Sequence, residues 1–316
     1  MNLITNINNL KIKNMKNYNV FFAFGKAVES KESTPVKRYV GIAPVKVLAV
    51  NPTKAELEKL YNTTLDKEPE YLGSREIDGK NVPFVRVDFI VSTDESKSGV
   101  AMTTKASFFV RKQFMMNRDA TKVKVVDRYA RTAWVTQDEF KNKLIPTYAN
   151  GPARIDKDYR MLYQGEEELL MFVKNYLGIT DVDEYVDGTW RMKANPDDYA
   201  AGFNEMEKWF KGDVSEIKAA IAMMPENYIK LLFGVRTTDD GKEYQDVFTR
   251  ASQRFNTRKN TVLEKALTEA QNAGAYANTY FETCELKEYA PQPTNVAETV
   301  ANDDDLPFGD DSNPWA

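Results

Sequence analysis

Histidine is absent from the 316 residues, and cysteine occurs once, at Cys284. Without imidazole the chain lacks the usual general base, the Ser/His/Asp and Cys/His nucleophile arrangements and the commonest transition-metal ligand. One thiol excludes an intramolecular disulfide and a multi-cysteine zinc site, and it fits a reducing compartment. Cys284 itself reads as a small buried apolar residue in a strand. Most enzyme classes are thereby removed, although a carboxylate-only magnesium site stays open because that ion takes oxygen ligands. No apolar run approaches membrane-spanning length, and Met1 to Lys16 has no continuous apolar block, so a soluble cytoplasmic protein without membrane association is expected. A Gly-x-x-x-x-Gly-Lys phosphate loop is missing too, which argues against a nucleoside-triphosphate motor.

What is present is an uneven distribution of charge. The formal net charge is −4, yet Pro291 to Ala316 holds six acidic residues and no Lys or Arg, so residues 1–290 carry 43 basic against 41 acidic side chains. The body is slightly positive, which restores a polyanion as a partner that the low overall pI would have argued against. The tail cannot bury enough apolar surface to order itself. Its acidic runs lead twice into a Pro-aromatic pair, Asp303-Asp304-Asp305-Leu306-Pro307-Phe308 and Asp310-Asp311-Ser312-Asn313-Pro314-Trp315. Proline limits chain entropy and the ring offers area to a pocket, as a segment grasped by other proteins requires. A plain solubilising end has the same charge pattern.

Along the chain, the Asn- and Lys-rich residues 1–16 read as a flexible arm, and residues 17–150 as a β-rich region. Val20 to Phe24 and Tyr39 to Val50 are β-branched and aromatic runs. Thr53 with Glu56 forms a capping box for a short helix over Lys54 to Tyr61. An Asp78-Gly79 turn precedes Val85, Val87, Phe89 and Val91, which alternate with Arg86, Asp88 and Ile90 in a half-buried strand. Thr103 to Lys112, Thr121 to Val126 and Arg128 to Val135 follow as strands. Residues 151–225 read as a helical subdomain, with helices over Gly165 to Tyr176, Phe203 to Phe210 and Val214 to Met223. Residues 226–289 complete the core with a hairpin about Asp240-Gly241, a helix over Asn260 to Asn272 and a last strand, Tyr280 to Tyr289. Residues 290–316 are the disordered acidic tail.

The candidate binding stretch is Ala101 to Thr136, with eight basic residues against two acidic ones. Lys105, Arg111, Lys112, Lys122, Lys124, Arg128 and Arg131 are interleaved there with Phe109, Phe114, Tyr129 and Trp134. Cations that follow phosphates and rings that stack on bases are the two requirements of sequence-tolerant single-strand binding. A weaker set, Arg236, Arg250 and Arg254, could extend the groove. The same pattern also fits a sheet with solvated cations outside and aromatic residues in the core. No metal ligand set and no cofactor are assigned.

The run Asp303-Asp304-Asp305-Leu306-Pro307-Phe308 resembles the acidic tip of bacterial single-stranded DNA-binding proteins, with the difference that Phe308 is internal here, leaving Trp315 as an alternative tip. The order of the body, together with Asp127 to Val135 and Phe233 to Gly241, resembles the helix-destabilising single-stranded DNA-binding proteins of tailed bacteriophages. That resemblance implies an α+β fold with an OB-type barrel, whereas composition and spacing by themselves indicate only a strand-rich domain. It also implies a non-enzymatic role in DNA replication, recombination or repair, in the host cytoplasm if phage-encoded. Expected partners are single-stranded DNA, replication or recombination proteins held by the tail, and further copies of the chain along the strand. Three rivals stay open: a strand-annealing recombination protein, a virion protein packaged with the genome, and a magnesium-dependent nuclease using Asp156, Asp158, Asp181, Asp183 and Glu184.

Overall fold

The computed structural model describes residues 19–20, 37–127, 131–147, 154–178, 183–186, 189–192 and 206–291. The N-terminal arm of residues 1–16, the strand read over Val20 to Phe24 beyond its first residue, and the tail from residue 292 lie outside the described residues. In chain order the elements are β1 (Asn19–Val20), β2 (Tyr39–Val50), α1 (Lys54–Tyr61), β3 (Leu72–Ile77), β4 (Lys80–Thr93), α2 (Glu95–Ser98) and β5 (Met102–Phe114). Next come β6 (Lys122–Val126), β7 (Thr132–Thr136), α3 (Gln137–Lys141), β8 (Arg160–Met161), β9 (Tyr163–Gln164) and α4 (Glu166–Tyr176). The chain continues with β10 (Asp183–Val186), β11 (Thr189–Met192), α5 (Met206–Trp209), α6 (Ser215–Ala222), β12 (Ile229–Thr237), β13 (Glu243–Arg254), α7 (Thr261–Asn272), β14 (Thr279–Phe281) and β15 (Lys287–Glu288). The fold is mixed α+β and rich in antiparallel strands.

Five long strands form the main sheet in the order β5-β4-β2-β12-β13, each pair antiparallel. Alternation along them separates two faces. Tyr39, Ala43, Val45, Val85, Val87, Phe89, Val91, Ala106, Phe108, Val110, Leu231 and Phe233 point inward into one core. Helices α4 and α6 supply Leu169, Phe172, Val173, Tyr176, Ile217 and Ile221 to that same core, with Trp209 wholly buried beside them. Each such aliphatic side chain contributes about 1.5–3 kcal/mol on burial. On the outer side, α7 lays Leu263, Leu267 and Ala270 over Leu232 and Phe248.

The OB-type barrel expected above is not closed among the described strands. Four antiparallel steps leave β13 parallel to β5, and their Cα atoms approach within 8 Å, but no ladder joins them. The edge of β5 is taken at one end by β1, at Met102 and Thr103, and at the other by β9, at Arg111 and Phe114. Helix α4 packs against both β5 and β13. A second sheet, β7-β6-β8, grows from the end of β5 through a bridge between Met116 and Val123. The final strand read from the sequence is two short pieces, β14 and β15. Cys284 lies in the bend between them, half-buried and donating to the Glu282 carboxylate at 3.2 Å, instead of inside a strand. No described helix is long and apolar enough to cross a membrane.

Candidate nucleic-acid interface

Because Val85 and Val87 point inward, their neighbours Phe84 and Arg86 point outward, and the register carries the same face onto β3 and β5. Phe84 is opposite Arg111 on β5 and Gly73 on β3, while Arg86 is opposite Phe109 and Asp88 opposite Ser107. The outer face of β3-β4-β5 therefore gathers Arg75, Phe84, Arg86, Lys105, Phe109 and Arg111. Phe109 keeps 41% of its surface exposed although it sits mid-strand. Its ring meets Phe84 edge-on, with centroids 5.7 Å apart and planes at 63°. Arg111 is held below the usual guanidinium range, first by partial burial and then by the positive charge of Arg75 nearby.

One end of this face is sealed. Leu57 and Tyr61 of α1 cover Ile90, and the helix is anchored by the capping box read from the sequence, with the Glu56 carboxylate accepting from Thr53 N at 2.7 Å and Glu56 N donating to Thr53 Oγ1 at 3.3 Å. Beneath lies Asp88, only 2% exposed. It ion-pairs with Arg86 at 3.2 Å and Lys105 at 3.4 Å. Asn51 fixes the backbone here, donating from its main chain to Asp88 O at 2.9 Å and accepting from Asp88 N at 2.6 Å. Burial lowers the Lys105 pKa against the opposing pull of Asp88. Arg86 lies over the Tyr71 ring at 5.6 Å, and the Tyr71 hydroxyl donates to Pro52 O at 2.6 Å. Lys105 thus serves Asp88, while at the other end of the face Phe109 and Arg75 are exposed and Phe84 and Arg111 are half-buried.

The other residues singled out from the sequence are not on this face. Lys112 belongs to the opposite side of β5, where it pairs with Glu207 at 2.7 Å over the Phe210 ring. Phe114 stacks on Tyr163 with centroids 4.8 Å apart. Lys122, Lys124 and Trp134 lie in the second sheet, Lys124 directly opposite Trp134. There the Lys124 ammonium sits over the Trp134 ring at 5.4 Å and forms an ion pair with Glu167 of α4, so its charge is neutralised. Arg131 is bound to the buried Asp127 at 2.7 Å. Arg236 shares the outer side of β12 with Leu232, near Tyr244. Arg250 lies in the field of Glu168 and near Tyr276, and Arg254 ends β13 opposite Ile229. Arg128, Tyr129 and the tail residues Asp303, Asp304, Asp305, Leu306, Pro307, Phe308 and Trp315 lie outside the described residues.

The expectation that all these cations and rings share one surface is corrected accordingly: two sheets and both sides of β5 divide them. Sequence reasoning missed Gly73, Arg75 and Phe84. The signal for Phe84 was its place in the alternation, one residue before Val85; Arg75 and Gly73 belong to β3, a polar strand with little apolar periodicity. Of the proposed nuclease carboxylates, Asp156 accepts from Asp158 N at 2.9 Å as a turn cap, and Asp183 and Glu184 are in the separate β10-β11 hairpin. Among the described residues no cluster of three or more Asp, Glu, Cys or His side chains is arranged to hold a metal ion. No protein-family model matches the chain, and no curated protein or solved structure matches it.

Proposed function

We propose that the chain binds single-stranded DNA without strong sequence preference, through the outer face of β3-β4-β5, and catalyses no reaction. The observation that carries this reading is the juxtaposition of Phe84 and the exposed Phe109 with Arg75 and Arg111 on the outer side of one sheet. Rings on a sheet stack bases whatever their identity, and the guanidinium groups take phosphates, which are the two terms of sequence-tolerant binding. The strand order supports the OB-type reading: an OB-fold is a five-stranded, partly open barrel that binds oligonucleotides on the face of its second and third strands. Counting the long strands of the main sheet in chain order, these are β4 and β5. The acidic tail recruits replication or recombination proteins and competes with DNA for the basic face, since it brings six carboxylates to a body with two excess positive charges.

The test is binding of labelled oligo-dT and of duplex DNA of equal length, at two salt concentrations, to the full chain and to residues 1–290. Single strand should bind tighter by orders of magnitude, and truncation should tighten it. With two phosphates taken by Arg75 and Arg111, log K should fall by about 1.4 per decade of salt. Equal affinity for duplex and single strand refutes the reading.

A further inference from the structure

Gly73 adopts ordinary extended backbone, so nothing in its dihedral angles calls for glycine. What calls for it is Phe84. A Cβ built on Gly73 would stand 2.5 Å from Cζ of Phe84, 2.9 Å from Cε1 and 3.1 Å from Cε2. Three short and similar distances belong to a point above the ring plane, since a point in line with the ring edge would be much farther from both Cε atoms than from Cζ. The ring therefore lies flat across β3, in the space a side chain would fill, and turns its other face away from the strand. Phe109 stands beside it at 63°.

We infer that Gly73 is a positioning residue: its missing side chain seats the Phe84 ring flat on β3, so that Phe84 and Phe109 form a two-walled corner that receives one unpaired nucleobase at a time. The inference rests on the single-strand-binding reading above. A planar base can lie parallel to only one of two rings inclined at 63°, so one ring stacks on its face and the other meets its edge. Arg75 follows Gly73 by two residues on the same side of β3, and Arg111 is directly opposite Phe84, so both flanks of the corner are cationic and suited to the adjoining phosphates. A base within a duplex has both faces covered by its neighbours and cannot enter.

The experiment compares Gly73→Ala, Phe84→Ala, Phe109→Ala and the double variant of Gly73→Ala with Phe84→Ala in the full chain, by oligo-dT anisotropy and by thermal unfolding. Phe84→Ala should weaken binding by about fivefold or more. Gly73→Ala should weaken it by at least about threefold with an unchanged salt slope, because a methyl group displaces the ring without altering charge. In the Phe84→Ala background the same substitution should have no further effect on binding. Since alanine suits a strand interior better than glycine, it should raise Tm there but not in the wild-type background. Wild-type affinity for Gly73→Ala beside a weakened Phe84→Ala overturns the positioning role and leaves the binding reading intact. Equal weakening in both backgrounds also overturns it, because the glycine would then act through the fold and not through Phe84. If Phe84→Ala and Phe109→Ala both bind as wild type, the binding face itself is wrong.

Discussion

Replacing Phe109 by Ala separates the proposed face from every other aromatic residue in the basic stretch. The side chain is 41% exposed and directed away from the core formed by Phe108 and Val110, so truncation removes a surface ring and leaves the inward packing untouched. The expected stability cost is below about 1 kcal/mol, as for surface substitutions in general. The expected binding cost is that of one stacked base, about 1–3 kcal/mol, or roughly a fivefold to 150-fold rise in Kd. Charge is unchanged, so the log K against log salt line should shift without changing slope. The assay is fluorescence anisotropy of labelled oligo-dT at four or more salt concentrations, with Tm recorded for each variant. Trp134→Ala is the internal comparison. That ring is of similar exposure, 39%, but lies in the second sheet with Lys124 over it, and it should change Kd by less than about twofold. The reasoning fails if Phe109→Ala binds as wild type, or if Trp134→Ala is the more damaging of the two.

Charge variants should divide in the same way. Arg111→Gln should lower the salt slope by about 0.7, whereas Lys124→Ala should leave it unchanged because Glu167 already neutralises that ammonium; salt titrations of both variants decide this. Asp88→Asn should destabilise the fold by about 2–4 kcal/mol, since Arg86 and Lys105 lose a carboxylate that is 2% exposed; urea unfolding measures it. Burial raises the pKa of Glu168 above 4.5, so the native state binds its proton more readily than the unfolded chain does. Its contribution to stability is therefore fully present below the unfolded pKa and declines as pH rises through the folded value. Glu168→Gln should gain stability relative to wild type as pH rises from about 4.5 toward neutrality, read from urea midpoints across that range.

The sequence made the inward face of the sheet legible and left the outward face largely hidden. Val85, Val87, Phe89 and Val91 alternate strictly, and the helix of Leu169, Phe172, Val173 and Tyr176 repeats at helical spacing; both patterns record burial, and both elements formed where they were read. The capping box of Thr53 and Glu56 is local chemistry and was equally visible. The site depends instead on which outward residues become neighbours across strands, and register between β3, β4 and β5 is not written in any one segment. Lys105 illustrates the difficulty: its type and spacing suit phosphate binding, but a carboxylate 17 positions earlier in the chain, Asp88, lies on the adjoining strand and occupies it. Gly73 carries no pattern at all, and its meaning appears only when the Phe84 ring is placed over it.

The most direct measurement is photocrosslinking of an oligo-dT carrying 5-iodouracil to the full chain, followed by mass spectrometric mapping of the attached residue. Crosslinks at Phe84 or Phe109, lost on competition with unlabelled single strand and retained with duplex, are the predicted result. Crosslinks confined to Trp134 and the second sheet, or to the β12-β13 hairpin, would contradict the assignment of the binding face.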